Sequence, residues 1–172
     1  MAIAVTSRLR VLLDLVETNT SGGVQERSSV LVHSIDYDTG ELASGTTGSL
    51  QDRVWSDLQS VANGAPDTWD LAGTLTSELS GATVTFVEVT GFWIRNKSTT
   101  TGEILEVGAG SNPLLNWIKA TGDATKIGPG GVYLHTSPID GFAVTAGTGD
   151  VLTITSASGT ISYEIAIWGR SA

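Results

Sequence analysis

A chain of 172 residues is long enough for one domain, or for one domain and an arm, without the help of a disulfide or a metal. It contains no Cys, which excludes a disulfide scaffold, thiol catalysis and the Cys-based zinc and iron–sulfur sites. Nine Lys and Arg against 18 Asp and Glu give a net charge of −9, and the cations stand singly apart from Arg8/Arg10 and Arg95/Lys97, which argues against a nucleic-acid partner. Only 16% of residues are charged, where about 25% is ordinary, and the mean hydropathy is +0.12. So few charges cannot solvate a whole surface, and part of it is expected to be covered by partner subunits.

The opening stretch "MAIAVTSRLRVLLDLVE" is interrupted by Arg8, Arg10 and Asp14 and lacks a small-residue cleavage site. It is read as part of the mature chain, made in a cytosol, rather than as a signal peptide. No run approaches the ~18 apolar residues of a membrane span, so no membrane partner is expected. Strand alternation places Leu9, Val11, Leu13 and Leu15 on one face, opposite Arg8, Arg10, Leu12 and Asp14. Helix is the competing reading, because Leu and Arg favour it. "NTSGG" supplies a turn, "SSVLVHSIDYDTGE" a second strand, and "TGELASGTTGSLQ" a low-complexity separator. Residues 1–50 are therefore expected to form a β-hairpin or arm, and residues 51–172 a compact domain. A lone hairpin is marginal in water, so its apolar row must dock on its own domain or on a neighbour.

In the domain, "TVTFVEVTGFWIRNKS" alternates, with Gly91 marking a bulge or bend. "SNPLLNWIKATG" fits a short helix or an irregular loop. "EILEVG", "GVYLHTS", "GFAVTA", "DVLTITS" and "TISYEIAIWG" are short strands between turn clusters. Strands at intervals of roughly 8–15 residues without helices predict an all-β fold, an antiparallel β-sandwich or jelly roll. In the last strand Ile161, Tyr163, Ile165 and Ile167 form the core face. Trp168 ends the outward row, as an edge-of-core filler or an interface anchor.

Chemistry is sparse. "DYDTGE" (Asp36–Glu41) has Gly40 and Thr47 where a calcium loop needs its fifth and twelfth ligands, so it is read as a turn. "GAGSNP" and "GPGG" lack the strand–helix setting of a phosphate cradle. His33 and His135 are the only histidines, and His135 is expected on a sheet surface. Glu103/Glu106 and Asp67/Asp70 are read as solvated residues, and Asn19 and Asn96 as turn residues. No catalytic residue, cofactor or metal ligand is assigned. Of the five tryptophans most are expected in the core and one or two at a subunit contact, which makes Trp55 and Trp168 candidates beside Leu9, Val11, Leu13 and Leu15.

From Trp69 onward the chain resembles a family of small all-β virion proteins of tailed bacteriophages. The resemblance is carried by "WDLAGTLTSELSGATVTFVEVTGFWIRNKSTTTGEILEVGAGSN" and "IGPGGVYLHTSPIDGFAVTAGTGDVLTITSASGTISYEIAIWGRSA", in that order, over about 100 of 172 residues. It implies a structural role without catalytic residues: a capsid decoration (cement) protein on the head surface, with the major capsid protein and copies of itself as partners, as a homotrimer. A tail or fibre component is the alternative within the virion. A lectin-like module with exposed Trp is the alternative of another class.

Overall fold

The computed structural model describes residues 10–18, 28–36, 45–48, 50–73, 75–76, 83–108 and 110–171. In chain order its strands are β1 (Arg10–Thr18), β2 (Ser28–Asp36), β3 (Arg53–Ala62), β4 (Asp67–Asp70), β5 (Leu75–Thr76), β6 (Thr83–Val84), β7 (Glu88–Asn96), β8 (Leu105–Gly108), β9 (Ala124–Ile127), β10 (Val132–Thr136), β11 (Phe142–Ala143), β12 (Val151–Ser156) and β13 (Thr160–Arg170). Among the described residues every regular element is a strand, and all strand pairs are antiparallel.

β1 and β2 form a two-stranded sheet of their own, with Val11 opposite Ile35, Leu13 opposite His33 and Leu15 opposite Leu31. The strand reading of this segment holds: period-2 alternation outweighs the helix propensity of Leu and Arg. Leu9 and, past Asp36, the "DYDTGE" segment lie outside the described residues.

A five-stranded sheet runs in the order β10-β7-β13-β3, with β11 pairing β7 beyond β10. A four-stranded sheet runs β4-β12-β8-β9. The two share one core. Ile161, Tyr163, Ile165 and Ile167 of β13 and Phe92 and Ile94 of β7 cluster with Leu152 and Ile154 of β12, Leu105 and Val107 of β8 and Ile127 of β9. The predicted core face of β13 is therefore the observed one, because only that parity puts four large apolar side chains out of water.

Polar clamps fix the ends. Asn96, read as a turn residue, ends β7 and is wholly buried. Its Nδ2 donates to Glu103 O (2.9 Å) and Ile127 O (3.0 Å), and its Oδ1 accepts from Ser98 N at 2.9 Å, so one amide joins the two sheets. Asp52 accepts from Ser171 N (2.7 Å) and Ser171 Oγ (2.5 Å) and holds the chain's last described residue beside the first strand of the domain. Residues 45–48, 50 and 51 are folded with the domain: Gly45 N donates to Gln51 O (3.0 Å), Leu50 N to Thr47 O (3.1 Å), and buried Arg170 donates to Gly48 O. Hydrogen bonds thus cross the predicted boundary at residue 50.

"SNPLLNWIKATG" resolves as an irregular loop. Asn112 and Asn116 have φ of 51° and 75°, which no α-helix tolerates, and Leu114 N donates to Val151 O at 2.8 Å. Trp117 closes over the core, its Nε1 donating to Leu114 O (2.9 Å) and its ring edge-on to Phe92 at 5.0 Å.

Candidate interaction surface

Alternation along the five-stranded sheet sends one set of side chains into the core and the other to the opposite, outer face. The register orders that outer face into rows. Val54 of β3, Trp168 of β13, Gly91 of β7 and Thr136 of β10 stand side by side. The next row is Ser56, Ala166, Trp93 and Leu134, and the one after it is Leu58, Glu164, Arg95 and Val132.

Much of this face is apolar and open to water. Leu58 is 58% exposed, Val132 53% and Val54 39%, while Trp93, Leu134 and Ala166 between them are half-buried. The charges that interrupt it are few. Lys97 Nζ lies 2.8 Å from Glu164 Oε1, and Arg95 lies 3.8 Å from the same carboxylate with half its side chain exposed. Hydrogen bonding to Lys97, with the positive charges of Lys97 and Arg95, holds Glu164 below the usual carboxylate range.

Of the expected contact residues, Trp55 and Trp168 are both buried. Trp55 is 3% exposed and points inward, its ring 4.8 Å from that of Trp69 and its Nε1 donating to Thr76 O at 3.1 Å. Trp168 does occupy the outer row, yet it is only 8% exposed. A Cβ on Gly91 would stand 2.5 Å from its Cε2, so the indole lies flat in the space the glycine leaves. It is the filler of the two readings, and its surface is spent within the chain. Val11, Leu13 and Leu15 lie along β1.

Sequence reasoning missed Trp93, Leu58 and Val132. The signal for Trp93 was present: it lies between Phe92 and Ile94, and the two flanking residues cannot both be core unless Trp93 faces away. Leu58 and Val132 were hidden because each sits in a strand whose partner, and hence whose outer face, is far away in sequence.

The inner face carries the other notable polar groups. Tyr163 donates to Asp67 Oδ2 (2.8 Å) and accepts from Trp69 Nε1 (3.0 Å), so Asp67 is engaged rather than freely solvated. Burial, then the hydrogen bond and negative charge of Asp67, push the Tyr163 phenol well above its ordinary value of 10.0. His135 is not on an open surface: it stacks on Phe92 at 6.0 Å, lies 5.2 Å from Phe142 and shares a 3.1 Å hydrogen bond with Tyr133 Oη. Burial lowers its pKa from 6.5 and keeps the ring neutral at pH 7. Glu106 pairs with Lys126 across β8 and β9 at 3.1 Å, and Glu103 accepts from Ser98 Oγ. Among the described residues no group of three or more His, Asp and Glu could hold a metal ion.

No protein-family model, no curated protein and no solved structure matches this chain.

Proposed function

We propose that the chain is a structural protein of a tailed-bacteriophage virion. In this reading it is a decoration (cement) protein that sits on the head surface, as a trimer, and ties neighbouring capsomers together. Its two main sheets would form a sandwich, and its work would be done by area burial rather than by chemistry. The observation that carries the reading is the outer face of the five-stranded sheet. Three large aliphatic side chains stand open there around a half-buried tryptophan, on a chain with few charges elsewhere. Such a patch suits a partner subunit, with Trp93 as the anchor. The turn and strand motifs from Trp69 onward, which resemble those of phage virion proteins, supply the setting. Many copies on one shell make modest contacts sufficient, since each added site raises the avidity of the layer.

The test is binding to heads. Purified protein carrying a label is mixed with phage heads lacking it and viewed by negative-stain microscopy. Label at local symmetry axes of the head is the expected result. Label on the tail would replace this reading by a tail or fibre role. No binding to particles, together with glycan binding by isolated monomer, would replace it by the lectin-like module, with Trp93 as the sugar platform.

A further inference from the structure

We infer that the outer face of the five-stranded sheet receives the β1–β2 hairpin of a second copy of this chain. The inference rests on the assembly reading above and names the occupant of its surface.

The hairpin needs a partner. Among the described residues β1 and β2 pair as strands only with each other, and a two-stranded sheet is marginal in water unless a third strand or an apolar surface supports it. Its register brings Val11, Leu13 and Leu15 opposite Ile35, His33 and Leu31, so one face of the hairpin is mostly aliphatic. The sheet offers a counterpart of the same length. Val11 to Leu15 and Val54 to Leu58 are each five residues, about 13 Å of strand from end to end.

Charge favours the same pairing. In the row of Val11, Leu13 and Leu15 the one charged position is Glu17, while Arg10, Asp14 and Asp36 fall in the opposite row. The sheet face carries Arg95 and Lys97 against Glu164, a basic excess on a chain that is acidic as a whole. The acidic position of the hairpin row and the basic excess of the sheet face are opposite in sign, which favours their pairing.

A neighbour, rather than the same chain, supplies the hairpin. In the single chain Leu58, Val132 and Val54 stand exposed. Arg170 pins Gly48 to the end of the sheet, so eight residues, 37–44, separate the hairpin from the fixed Gly45. Fully extended, eight residues reach roughly 26–29 Å, enough to step onto an adjacent copy. Exchange of this kind around a closed ring gives every copy one donated and one received hairpin.

The test uses the full chain, which has no native Cys to interfere. A Leu13→Cys chain is mixed with a Leu58→Cys chain under mild oxidation, and a Leu15→Cys/Val132→Cys mixture samples the opposite side of the face, on β10. The expected result is a disulfide-linked heterodimer in at least one mixture. Leu58→Asp with Val132→Asp is expected to weaken self-association at least tenfold in sedimentation while leaving the circular dichroism of the fold unchanged. Oligomers that form without any cross-link between hairpin and sheet face, or that link through Leu58→Cys on both chains, overturn the inference and leave the assembly reading standing. A Leu13→Cys/Leu58→Cys double variant that closes within one chain overturns it as well. Monomers at every accessible concentration overturn both.

Discussion

Tyr163 shows how one hydroxyl can join two sheets. It stands on β13, in the centre of the five-stranded sheet, yet its oxygen meets Asp67 and Trp69 of β4 in the other. Removing it in Tyr163→Phe leaves both partners without that contact and is expected to cost about 1–2 kcal/mol, read from the urea midpoint. The pH dependence carries a second signature. Tyrosine loses its proton near 10 in the unfolded chain and at a higher pH in the folded one. Above pH 10 the unfolded state therefore binds fewer protons than the native state, and stability declines as pH rises from there toward the raised native value. Below pH 10 the contribution is fully present. Between pH 9 and pH 11 the wild type should lose more stability than Tyr163→Phe, and equal losses would mean that this phenol is not the group responsible. Nothing in the local sequence announced this contact, since Asp67 and Tyr163 are separated by 96 positions.

At the scale of elements, β7 and β13 were the most legible parts of the chain. Their alternation gave the core face of β13 by parity alone, and Gly91 was rightly taken as the sign of a local irregularity. The register shows where it falls. Trp168 stands opposite Gly91 but Gly169 opposite Val89, which leaves Thr90 as the extra residue of a β-bulge. Thr90 and Gly91 are both buried, and the phase of β7 shifts so that Val89 and Phe92 both reach the core. Gly91 itself serves a different end, as the floor beneath Trp168. A methyl there would meet ring atoms at 2.5 Å, and a buried indole on a sheet has little room to retreat. Gly91→Ala should destabilise by about 1–3 kcal/mol. In the Trp168→Ala background the same change should cost far less, and a double-mutant cycle that came out additive would show that the two residues do not share this space. Sequence alone could place the glycine and the tryptophan on strands but not opposite one another, because register between strands so far apart is set by the whole fold. The same gap hid the burial of Trp55 and Trp168 and the outward facing of Trp93.

At the scale of the molecule, stability should be uneven along the chain and dependent on concentration. The two large sheets share one continuous core, so their central strands β7 and β13 open only when that core is lost. The β1–β2 sheet is joined to neither of them by strand pairing, and a two-stranded sheet in an isolated copy should open at little cost. Assembly reverses this for the hairpin, because a partner that binds only the closed form lowers the population of the open one by mass action. Hydrogen exchange measured across a dilution series separates the two behaviours. Amides of β13 should exchange slowly at every concentration. Amides of β1 and β2 should exchange fast when the protein is dilute and slow when it is concentrated, and the change should track the oligomer fraction seen by sedimentation. Leu58→Asp with Val132→Asp should hold the hairpin in the fast regime throughout, although neither residue belongs to the hairpin. Protection of β1 and β2 that is high and independent of dilution would mean that the hairpin is supported within its own chain, and the open sheet face would then need another partner.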